Sequence, residues 1–88
     1  MEMMPNEIWQ LIIEFGNDID ADTRAAVATI LLEHYFELHP VLFKERFQEL
    51  KKEISFGKKN LLDTLKLCYP NWGSDQNKMI VERYISEN

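Results

Sequence analysis

Thr23-Arg24-Ala25-Ala26-Val27-Ala28-Thr29-Ile30-Leu31-Leu32-Glu33-His34-Tyr35-Phe36-Glu37-Leu38 is the stretch whose reading decides the fold. It contains neither glycine nor proline, and in its first half apolar residues go nearly all the way round a helical wheel. A helix apolar on most sides is normally the buried one, so residues 23–38 are predicted to form the central helix of an all-α domain. His39-Pro40 ends it, because proline has no N–H to donate and clashes with the preceding turn. The same proline suits the first turn of a following helix.

Beyond Pro40, Phe43, Phe47, Leu50 and Ile54 recur at helical spacing and give the third helix one apolar face. Helices two and three should therefore form an antiparallel hairpin. Phe56-Gly57 is expected to end the third helix, and a fourth is expected to start near Asn60 with Leu61, Leu62, Leu65 and Tyr69 inward. Tyr69-Pro70-Asn71-Trp72-Gly73 is dense in turn residues. Ser74 then suits the cap of a last helix carrying Met79, Ile80, Val81, Tyr84 and Ile85. On the amino-terminal side, Ile8, Leu11, Ile12 and Phe15 mark a first helix from Asn6 to Phe15, with Pro5 ahead of it and Gly16 as a stop. Either Asp20 or Asp22 caps the second helix, where negative charge also suits the positive end of its dipole. No polar/β-branched alternation predicts a strand. The expected architecture is a single compact bundle of about five short helices spanning residues 1–88.

A core is within reach of this composition. Of 88 residues, 26 are Ile, Leu, Val or Phe, well above the roughly 20% below which highly charged chains stay disordered. Met1 to Pro5 shows no basic stretch and no apolar run of a secretory signal. The longest uncharged apolar run, Ala25 to Leu32, is far short of the roughly 20 residues that cross a bilayer. Cys68 is the single cysteine and has no internal disulfide partner, which fits a reducing compartment and a cytoplasmic location.

Little in the sequence suggests catalysis. Glu33, His34, Glu37 and His39 are the one cluster of possible metal ligands. They lack the completing Glu-x-x-His pair or second-helix histidine that a zinc or di-iron site needs, so no metal or cofactor is expected. Cys68 lies in an apolar helical context where a thiol behaves as a small hydrophobic side chain. Ser55, Ser74 and Ser86 stand in no nucleophile motif, and the glycines form no phosphate loop. Lys51, Lys52, Lys58, Lys59 and Lys66 gather around Phe56, but Glu49, Glu53 and Asp63 interrupt them. With a net charge of −5, direct nucleic-acid binding is not expected.

The charge is uneven. Residues 1–40 hold eight acids and one base, a net of −7, whereas residues 41–88 carry +2. Glu14, Asp18, Asp20 and Asp22 bracket the connection between helices one and two, with Glu33 and Glu37 one element away. This carpet of acids either provides solubility and capping or forms a docking surface for a basic partner. Trp72 either plugs the bundle or stands out as an apolar anchor for that partner.

The stretch from Asp20 to His34 resembles small bacterial helical proteins, and also one helix of a HEAT-type repeat; no second copy of it occurs. In size, charge and class the chain is similar to bacterial immunity proteins. That resemblance implies a domain that binds and neutralises a cognate toxin, often a basic nuclease, with Glu14, Asp18, Asp20, Asp22, Glu33, Glu37 and Trp72 as the expected partner-binding residues. The ten aromatics also suggest a second role, that of a structural or adaptor subunit self-associating through apolar helix faces.

Overall fold

The first helix, α1 (Pro5–Gly16), opens with a proline where the missing N–H would have had no intrahelical partner. The computed structural model describes residues 4–52 and 56–87, the side chains of 56–59 excepted. Trp9, Ile12 and Gly16 form the buried stripe of α1. Gly16, expected as a stop signal, is the helix's last residue and has no positive φ. Its use is proximity. A Cβ there would sit 2.5 Å from Leu61 Cδ1, so the bare backbone is what lets a buried leucine of a later helix pack against it.

Asp20 caps α2 (Ala21–Ala26), its carboxylate accepting from the Asp22 N–H at 3.1 Å. The long second helix is present, but it is not one regular α-helix. From α2 the chain passes into a π-helical turn at Val27–Leu31 and then into α3 (Leu32–Leu38), with right-handed helical angles at each junction. The Leu32 N–H reaches back five residues to the Val27 carbonyl, so the turn holds one residue more than an α-helical one. Inside this turn the Ala28 carbonyl accepts from the indole Nε1–H of Trp72 at 2.9 Å.

That bond decides between the two readings of Trp72. The residue is 1% exposed, with ring centroids 6.0 Å from Phe36 and 6.2 Å from Phe43. Trp72 plugs the bundle, and its assignment as a partner-binding anchor is corrected, because an indole buried on all sides offers a partner no surface.

Pro40 starts α4 (Pro40–Lys52) directly after the His39 break, and α4 turns Phe43, Phe47 and Leu50 into the core beside α3. Ile54, expected on that face, lies outside the described residues. The next helix, α5 (Phe56–Cys68), begins earlier than expected, and Phe56-Gly57 opens it rather than ending its predecessor. Glycine costs about 1 kcal/mol against alanine in a helix interior. In a first turn, whose N–H groups lack intrahelical partners anyway, it does not stop a helix. Leu61, Leu62, Leu65 and Cys68 are buried on α5. Tyr69 is half-buried in a 3-10 turn at Tyr69–Asn71. The last helix, α6 (Asp75–Ser86), is capped by Ser74, whose Oγ accepts from the Asn77 N–H at 3.3 Å.

The result is an all-α bundle, with no strand among the described residues. Its radius of gyration, 11.9 Å, is close to the roughly 12 Å expected for a compact chain of this length. Its core holds an aromatic cluster in which Phe36, Phe43, Phe47, Trp72 and Tyr84 meet in tilted, stacked and edge-on pairs, and a separate tilted pair, Trp9 and Tyr35.

Candidate docking surface

The connection between α1 and α2 is a loop held by its own side chains. Asp18 Oδ1 accepts from the Asp20 N–H at 2.9 Å, and Asp20 Oδ2 accepts from Thr23 Oγ1 at 3.2 Å. Arg24 folds back from α2, its Nη1 donating to the Asp18 carbonyl at 2.7 Å and to the Ile19 carbonyl at 2.9 Å. Arg24 is the only base in residues 1–40, and the loop backbone engages it. Ile19 projects from this clamped loop at 96% exposure, with exposed Asp18 and Asp20 on either side of it in the chain. Ile19 does not stand out in the sequence. Its signal was an isolated branched residue among four turn-forming neighbours, Asn17, Asp18, Asp20 and Asp22.

The other expected acids divide. Glu14 is exposed on α1. Glu33 spreads its two carboxylate oxygens across successive N–H groups, Gly73 at 3.2 Å and Ser74 at 3.3 Å. Glu37 accepts from Asn77 Nδ2 at 3.3 Å. Both therefore fasten the start of α6 to α3, where negative charge also meets the positive end of the α6 dipole. The structure brings Asp18, Asp20 and Asp22 together at the loop and first turn that open α2, and places Glu33 and Glu37 at a separate joint. Spacing along the chain could not show this, because the partners lie 40 or 41 residues away.

A groove runs between α1 and α3. Half-buried Ile8, Leu11 and Leu31 line its floor and exposed Met4, His34 and Leu38 its walls, with half-buried Pro5 and His39 also in the lining. It holds about 590 Å³, within the range that receives a ligand or several partner side chains. Met4, Ile8, Leu11 and Phe15 are spaced by four, three and four residues along α1, which places them on one face. Phe15, 42% exposed, continues the stripe toward the clamped loop. The neighbouring positions on the outer side of α1 are Glu7 and Glu14, and beyond His34 on α3 comes Glu37. Among the described residues, Glu7 and Glu14 make no ion pair.

Several other polar groups tie elements together. Lys51 Nζ donates to the Tyr84 carbonyl at 3.0 Å and also to that of Glu87, covering the carboxyl end of α6. That removes Lys51 from the basic strip, while Lys52 and Lys66 are exposed. The side chains of Phe56, Lys58 and Lys59 lie outside the described residues. Arg46 lies over the Trp9 ring, donates to Asn6 Oδ1 at 2.8 Å and pairs with Glu49 at 3.4 Å. The Tyr35 hydroxyl, buried and without a partner of normal hydrogen-bond geometry, faces the Arg46 guanidinium. Together with Glu49 it raises that group's pKa against the opposing effect of burial. No group of three or more His, Cys, Asp and Glu assembles into a metal site among the described residues. His34 faces the groove, while His39 ends α3 and sits 5.6 Å from the Tyr35 ring. No described helix is long and apolar enough to cross a membrane.

No protein-family model, curated protein or solved structure matches this chain.

Proposed function

We propose that this chain is a protein-binding domain that docks on a basic partner, in the manner of an immunity or antitoxin-like protein neutralising a toxin or nuclease domain. The observation that carries the reading is Ile19, almost fully exposed on a loop whose carbonyls Arg24 holds, with Asp18 and Asp20 as its chain neighbours and exposed Asp22 in the first turn of α2. Burying such a side chain against a partner contributes roughly 1.5–3 kcal/mol, and the loop needs little further ordering to present it. The surrounding carboxylates accelerate encounter with a basic surface and disfavour an acidic one. Ile19 thus takes the anchoring role that the sequence offered to Trp72. This is a binding role rather than a catalytic one, and the buried Cys68 thiol suits a reducing, cytoplasmic setting.

The test begins with affinity capture by the intact chain from an extract of its own organism, and then uses the purified partner. That partner should be basic, and Ile19→Asp should weaken its binding at least tenfold with Asp22→Lys acting in the same direction. Circular dichroism should show both variants folded. An acidic partner, or unchanged affinity in both variants, would overturn the reading.

A second reading, self-association as a structural or adaptor subunit, draws on exposed Met4, Leu38, Val41 and Met79. Sedimentation at micromolar concentration separates the two, since a salt-insensitive homo-oligomer supports the subunit and a monomer the inhibitor.

A further inference from the structure

We infer that the groove between α1 and α3 receives a basic amphipathic α-helix of the partner protein. This rests on the protein-binding reading and adds to it the form of the ligand.

Three observations lead to it. The first is geometric. The α1 stripe from Met4 to Phe15 covers 11 residue steps, roughly 16 Å at the rise of an α-helix, which matches three turns of a bound helix. Leu31 at the end of the π-helical turn and Leu38 on α3 face it. Two helices that present apolar ridges to one valley form two sides of a three-helix packing, and a third helix with anchors at i, i+4, i+7 and i+11 completes it.

The second is hydrogen bonding. Both walls are helices, so within them the backbone N–H and C=O groups are already paired. An extended peptide laid on the apolar floor of Ile8, Leu11 and Leu31 would find no backbone to pair with, and burying unpaired amides is unfavourable. A helix brings its own hydrogen bonds satisfied, which makes it the form of chain this floor accepts.

The third is charge. Exposed Glu7 and Glu14 lie on α1 beside its apolar stripe, within residues 1–40, whose only base, Arg24, is held by its loop. Lysines or arginines flanking the apolar face of the incoming helix would meet the carboxylates of Glu7 and Glu14. A second copy of this chain docked by the same face would set those glutamates against each other, a repulsive arrangement. The outer face of α6 around Met79 and Ile80 gives no such selection, because Glu82, Arg83 and Glu87 mix both signs there.

The probe is a fluorescein-labelled, end-capped 14-residue peptide of leucine and lysine, with leucines at helical i, i+3, i+4 and i+7 spacing. Two controls accompany it, one with the same residues in strict alternation and one with glutamate replacing lysine. By fluorescence anisotropy the helical basic peptide should bind at least tenfold tighter than either. Leu38→Asp and Met4→Asp, both at exposed positions, should each weaken it at least tenfold while melting with the wild-type chain, and Ile19→Asp should leave it unchanged. Amide shifts on binding should fall on α1 and α3. Equal binding of the three peptides, a dependence on Ile19 instead of Leu38, or a dimer built on this face would overturn the inference. Because Ile19→Asp with the purified partner tests the loop separately, loss of the groove helix is distinguishable from loss of the protein-binding reading.

Discussion

Trp72 shows how one side chain can join parts of a chain 44 residues apart, through its indole bond to the Ala28 carbonyl. Replacing it with phenylalanine keeps an aromatic ring but leaves that carbonyl buried without its donor, which costs roughly 1–3 kcal/mol. The missing ring volume adds a cavity contribution. Trp72→Phe should therefore lower unfolding stability by about 2–4 kcal/mol in urea titrations, and a loss below about 1 kcal/mol would show that the bond carries little weight. At this scale the sequence was legible wherever the partner was local. Asp20 and Ser74 precede their helices and cap them, as their positions suggested. It was not legible where the partner was distant: nothing in the spacing of Glu33 or Trp72 encodes a loop that arrives forty residues later. Ile19 escaped notice for the opposite reason, since an isolated apolar residue in a polar loop resembles any other until Arg24 is seen holding the backbone on which it stands.

Among the elements, α6 is the one most dependent on the others. It has a single fully buried residue, Val81, and is fastened at its start by Glu33 and Glu37 and at its end by Lys51. Such an element opens more easily than the core. Glu33→Ala should speed hydrogen exchange of α6 amides about tenfold, equivalent to about 1.4 kcal/mol, while α1 and α5 change much less; uniform acceleration across all helices would contradict this. The existence and order of the helices followed from apolar periodicity, but their details did not. The π turn stayed hidden because one extra residue shifts a 3.6-residue pattern too little to be noticed over a single turn. The near-complete apolar circumference of the second helix implied burial on all sides, whereas Ile30 is 65% and Leu38 53% exposed. Part of that circumference faces the groove rather than the core, so hydrophobicity that looked like excess core marks an open face.

For the molecule as a whole, the division of charge into −7 and +2 gives it a polarity that a net value of −5 conceals. If the acidic half steers a basic partner, association should slow as salt shortens the screening length, which is about 8 Å at 0.15 M. Stopped-flow measurements from 20 to 500 mM salt should show the on-rate falling by roughly 10-fold or more with a much smaller change in the off-rate. A flat on-rate would assign the acids to solubility alone. The seat of Trp72 has a consequence for how the chain is made. Synthesis delivers Ala28, Phe36 and Phe43 before position 72, so the growing chain carries an unfilled aromatic socket until Trp72 emerges. A message that stopped at Asn71 would encode most of the helices and none of the plug, and its product would keep the apolar interior open to any other nascent chain nearby.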